Sequence, residues 1–170
     1  CPTRRDVYTR SMSILTHGSD LSLAPTAGPL VRQSGANLRS VVRLLATAGF
    51  TQVQLDAALP GIRPRDLNRR ARLDLIAMIR RENLAIAGLD LFIPRDHFTD
   101  PQHVDRAVTA VTSAIELAAD LGRVPLSVTL PIAETDTDIR RALAESADVH
   151  DVALAVHDET DLEGVLTWVQ

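Results

Sequence analysis

The chain has 170 residues, 45% of them hydrophobic, which is enough for one domain with a sizeable core, and no apolar run approaches membrane-spanning length. A formal net charge of −4 and an aromatic content of 3% argue against nucleic acid held by a general basic field or by base stacking. All 18 basic residues are arginine, which removes Schiff-base and P-loop lysine chemistry, and the one cysteine, Cys1, allows neither an internal disulfide nor a cysteine zinc cluster. A cytoplasmic setting, no membrane partner and a single domain over residues 1–170 are the expectations that follow.

Residues 1–10 have no period and read as an arm. A first short strand is expected at 11–16, with 21–24 as the alternative, and the prolines and glycines of 25–35 read as loop. Asn37 then caps a helix in which Leu38, Val41, Val42, Leu45 and Ala48 recur on one face, and Gly49 ends it. A strand follows at 50–55, with Gln52 and Gln54 alternating against Val53 and Leu55. The loop 56–68 is long for a strand-to-helix connection and offers Asp56, Arg63, Arg65 and Asp66 where ligands gather in α/β proteins.

The spacing predicts a helix over 69–83 that buries Leu73, Ile76, Ala77 and Ile79, then a continuous apolar strand at 84–92. Its exit loop carries Arg95, Asp96 and His97. Asp100 before Pro101 marks a helix start, and a broad stripe from Val104 to Leu121 marks its buried face. A fourth strand is expected at 125–131, a shorter helix carrying Ile139, Ala142, Leu143 and Ala147, and a fifth strand at 152–156. Thr160 with Glu163 makes a capping box for a last helix.

Five alternations of strand and helix imply a parallel sheet. On length alone a five-stranded doubly wound sheet would serve. The runs AGFTQVQLDA, RPRDL, LAIAGLDLFIPRDHF, DPQHVDRAVTAVTSAIELAADLG and PLSVTLP point elsewhere. In order and spacing they resemble the xylose isomerase-like TIM-barrel superfamily, which holds sugar isomerases, epimerases and endonucleases acting on abasic DNA. The resemblance covers residues 37–160, and its most specific pieces are GF-x-x-V-x-LD and the A-x-x-LG end of the long helix. It implies a (β/α)8 TIM-barrel type of which about five βα units are present, a partial barrel.

The resemblance also implies a divalent metal ion (Mn, Mg, Zn or Co) held by carboxylates and histidines at the ends of the later strands. Where the family usually ends its fifth strand on glutamate, in a run like L-A-L-E, this chain reads LAVHDE, so His157 takes the metal-ligand position. Asp158 and Glu159 are then the candidate catalytic carboxylates, with the N-terminus of the last helix as their other reading. Asp56, Arg63, Arg95 and His97 are the candidate substrate-binding residues, His97 by likeness to the endonuclease branch. The function implied is metal-assisted isomerisation or epimerisation of a small carbohydrate or polyol. The alternatives are a non-catalytic binding or assembly module, which would form a homo-oligomer, and an abasic-site phosphodiesterase using Arg63, Arg65 and Arg95. The chain carries no glycine-rich phosphate loop, nucleophile elbow or H-E-x-x-H pair.

Overall fold

The computed structural model describes residues 23–131 and 135–157. The strand expected at 11–16 and the helix expected after Thr160 lie outside these residues. The elements in order are α1 (Ala27–Ser34), α2 (Leu38–Thr47), β1 (Gln52–Asp56), α3 (Arg69–Arg81), β2 (Ala85–Leu91), α4 (Val104–Asp120), β3 (Leu126–Thr129), α5 (Thr137–His150) and β4 (Leu154–His157). Short 3-10 turns at Pro64–Asp66 and Arg95–Phe98 interrupt the loops after β1 and β2.

Helix α1 stands where the sequence reads as loop. Pro29 falls in its first turn, where the backbone N–H has no partner to lose, and Gly35 ends it in the left-handed region at φ 66°. Helices α2 and α3 start as expected of their asparagines: the Asn37 side chain accepts from Ser40 N–H, and that of Asn68 from Ala71 N–H. At the start of α4, Asp100 accepts from Gln102 N–H at 2.8 Å. The regular helix begins only at Val104, because residues 101–103 form a turn. In α3 the buried residues are Leu75 and Ile79, while Leu73, expected inside, is exposed.

The four strands are parallel and pair in chain order, β1-β2-β3-β4. Thr26 adds an isolated parallel bridge to Gln54, so the chain before α1 runs beside the free edge of β1. Sequential order without a reversal point sets aside the doubly wound alternative. The two faces of the sheet say the same. Val53, Leu55, Leu89, Leu91, Leu126 and Val128 lie on one face, buried in a single apolar cluster with residues of α2, α3, α4 and α5. The register places Gln54, Asp56, Asp90, Ser127, Thr129 and His157 on the other face. Among the described residues, α2 to α5 pack on the apolar face, as in a barrel wall, whereas a doubly wound sheet carries such helices on both faces.

One extra residue keeps this sorting intact. Val53 pairs with Ile86 but Gln54 pairs with Gly88, so Ala87 is left unpaired in a bulge that lets Leu89 and Asp90 face the same way as Leu55 and Asp56. Helix α4 supplies the middle of the core through Val111, Ala114, Ile115, Leu117 and Ala118. No helix among the described residues is long and apolar enough to cross a membrane.

Ile115 is fully buried and Leu73 is 57% exposed. Ile115→Ala should therefore cost about 2–5 kcal/mol, and Leu73→Ala no more than about 0.5 kcal/mol. Urea unfolding of the two variants checks this, and equal losses would place the core elsewhere.

Candidate functional site

The polar strand residues converge at the C-terminal ends of the strands. There they line a cleft of about 260 Å³ with Asp56 from β1, Asp90 from β2, Ser127 and Thr129 from β3, and His157 from β4. Helix α1 closes one side with Pro29 and Arg32.

Asp56 is buried and held on both oxygens. Oδ2 accepts from Arg32 Nη1 at 2.6 Å, and Oδ1 accepts from Ala58 N–H at 2.8 Å. Gly28 makes this possible by its size: a Cβ there would sit 2.3 Å from Asp56 Oδ2. Asp90 pairs with Asp56 in the strand register and is half-buried. Among the described residues, the one side-chain contact to its carboxylate is a long one from the Thr26 hydroxyl, at 3.5 Å. The Ser127 hydroxyl and His157 Nε2 lie 2.7 Å apart and share a hydrogen bond.

A second cleft, of about 720 Å³, opens between the loop after β1 and helix α4. Arg63, Arg65, His97 and Arg106 line it, and it shares Leu91 and Phe92 with the first cleft. His97 stacks on His103 at 4.6 Å, and His103 Nδ1 hydrogen-bonds Asp100 Oδ2 at 2.6 Å. The Gln102 N–H, and then the His103 imidazole, hold the Asp100 carboxyl below its ordinary value. Its support for this turn is present above the unfolded value of 3.8 and is lost as pH falls through the lowered one.

The sequence candidates thus divide. Asp56 and His157 meet in the first cleft, and Arg63 and His97 in the second. Arg95 opens the 3-10 turn after β2 and lines neither cleft. Asp158 and Glu159 lie outside the described residues. Asp90, Ser127, Thr129 and Arg32 were not anticipated. A signal for Asp90 existed, because Leu-Asp recurs in QVQLD and AIAGLDL, so two successive strands carry a carboxylate at or next to their last residue.

His157 is the expected metal ligand, but the described residues do not by themselves suit a metal ion. No group of three or more histidines, cysteines or acids converges among them. The Asp56 oxygens are already committed to Arg32 and Ala58.

Known structures share this fold. A D-psicose 3-epimerase from Clostridium cellulolyticum H10, crystallised with D-tagatose, matches with a TM-score of 0.54 at 13% identity, over 71% of this chain and 46% of its own. A xylose isomerase domain protein from Planctomyces limnophilus matches with a TM-score of 0.55 at 13% identity, over 75% and 52%. A sugar phosphate isomerase/epimerase from Parabacteroides distasonis matches with a TM-score of 0.50 at 14% identity, over 84% and 53%. The chain spans about half the length of these structures. No family model and no curated protein matches the sequence. At these identities the likeness establishes the fold alone, part of a TIM-type barrel, as the sequence runs imply.

Gly28→Ala forces the Asp56 carboxylate away from Arg32 or displaces α1. It should destabilise the protein by about 1–3 kcal/mol, the usual range for overpacking. Thermal unfolding checks this, and an unchanged midpoint would mean that α1 does not pack on Asp56 as described.

Proposed function

We propose that this chain carries part of a sugar isomerase or epimerase site, with a small polyhydroxylated carbonyl compound as substrate. The observation that carries this reading is the convergence of Asp56, Asp90, Ser127 and His157 at the C-terminal ends of four parallel strands. That is the end at which barrel enzymes place their chemistry. The names of the matched structures, an epimerase with a ketohexose and two isomerase-type proteins, support the substrate class.

Isomerisation and epimerisation next to a carbonyl need a base that takes a proton from carbon and returns it. Asp90 is the described group best suited to this. Its carboxylate lines the cleft, and its one side-chain contact among the described residues is at 3.5 Å. Asp56 has the opposite character. Paired to Arg32 at 2.6 Å, it is held in place and fixes the mouth of the cleft. The Ser127–His157 pair presents a hydroxyl and an imidazole to substrate hydroxyls, and Thr129 adds a second hydroxyl on the same strand. His157 with Asp158 and Glu159 remains the proposed route to a divalent ion, and no step here passes through one.

In the natural-length protein, Asp90→Asn should lower exchange of the substrate carbon-bound proton with deuterium oxide by about 10²–10⁴-fold across a panel of ketohexoses. Proton NMR reads the exchange directly. Turnover within twofold of the parent protein would remove Asp90 as the base, and no exchange with any ketose would remove the sugar reading.

A further inference from the structure

The larger cleft is unusual in its charge. The chain as a whole is acidic, with a net charge of −4, yet three arginines and a histidine line this cleft and, among the described residues, no acidic one does. The guanidinium groups are only partly engaged. Arg63 donates Nε to Ala58 O at 3.1 Å, which pins its stem and leaves both terminal nitrogens without a partner among the described residues. Arg65 approaches Asp66 only to 3.9 Å, beyond hydrogen-bond range. Arg106 is exposed on α4 and has no acidic partner among the described residues. Thr109 and Ser113, further along the same helix, add hydroxyl donors to the cleft wall. Several forked cations and two hydroxyls around an acid-free space suit the oxygens of a phosphate monoester.

The size and position of the cleft narrow the ligand. Small-molecule sites occupy roughly 300–1,000 Å³. The Asp56–Asp90 cleft, at about 260 Å³, falls short of that range alone, and the arginine cleft, at about 720 Å³, lies within it. Both are lined by Leu91 and Phe92, so they adjoin. We infer that the arginine cleft binds the phosphate of a phosphorylated small molecule whose polyhydroxyl portion occupies the Asp56–Asp90 cleft. The second half of this statement rests on the sugar reading above; the first does not. A nucleic-acid backbone is the weaker occupant, because the chain is acidic overall and has few aromatics.

The test is calorimetric titration of the natural-length protein with fructose, fructose 6-phosphate and glycerol phosphate at low ionic strength. Arg106→Gln and Arg65→Gln are the variants, both at exposed positions outside the Asp56–Asp90 cleft. Fructose 6-phosphate should bind at least tenfold tighter than fructose. Each variant should erase most of that gap and leave fructose binding unchanged. Equal affinity for the two sugars, or variants that weaken both alike, overturns the inference. Glycerol phosphate binding as tightly as fructose 6-phosphate, and weakening with Arg106→Gln, upholds the phosphate site while removing the sugar. An abasic duplex that binds more tightly than either small phosphate overturns it in favour of nucleic acid.

Discussion

Everything at the mouth of this sheet depends on the in-out phase of four parallel strands. Side chains alternate with a period of two, so a one-residue slip in any strand would exchange its faces. In β1 that slip would expose Val53 and Leu55, both fully buried, at about 1.5–3 kcal/mol each. It would also turn Asp56 into the apolar layer, where an unpaired carboxylate costs several kcal/mol more. The apolar face therefore fixes the register, and the register brings carboxylate, hydroxyl and imidazole side by side. Ala87 is part of the same constraint. Were Ala87 paired with Gln54 instead of bulged out, Leu89 would fall opposite Asp56 and the two faces would no longer match.

The register has an electrostatic cost. It sets Asp56 opposite Asp90 on neighbouring strands, whose backbones run about 4.8 Å apart. Two carboxylates at such range repel, and the structure offsets this on one side only. Arg32 reaches back from α1 to Asp56, and Gly28 on the same helix leaves the room for it. Helix α1 thus makes the two acids unequal. One is neutralised and held; the other keeps an open face toward the cleft.

Periodicity made most of this legible. The helices over 38–47, 69–81 and 104–120 and the strands at 52–56, 85–91 and 126–129 all follow from apolar spacing and caps. Where the sequence misled, two signals competed. Pro29 and Gly35 were read as breakers, but one sits in a first turn and the other past a last turn, so they bound α1. Leu73 fits the helical stripe of α3 about as well as Leu75; only packing against the sheet chose between them. Asp90 hid in an apolar run because its neighbours face the core while it faces the cleft. Arg32 was invisible for another reason: its partner is 24 residues away, and nothing local marks the pair.

The boundary between the two clefts explains how opposite charges remain separate over a short span. Arg63, Arg65 and Arg106 make no ion pair with Asp56 or Asp90 among the described residues. Leu91 and Phe92 line both spaces, and Phe92 is 70% exposed. An aromatic ring left in water forfeits burial worth about 1.5–3 kcal/mol, a loss that the core does not recover. Its position gives a reason. An apolar wall keeps the arginines from closing onto the aspartates, a collapse that would satisfy both sets of charges internally and leave neither for a ligand. The same wall offers an apolar surface to the carbon skeleton of a molecule lying across it, so ligand binding would restore the burial that folding leaves out.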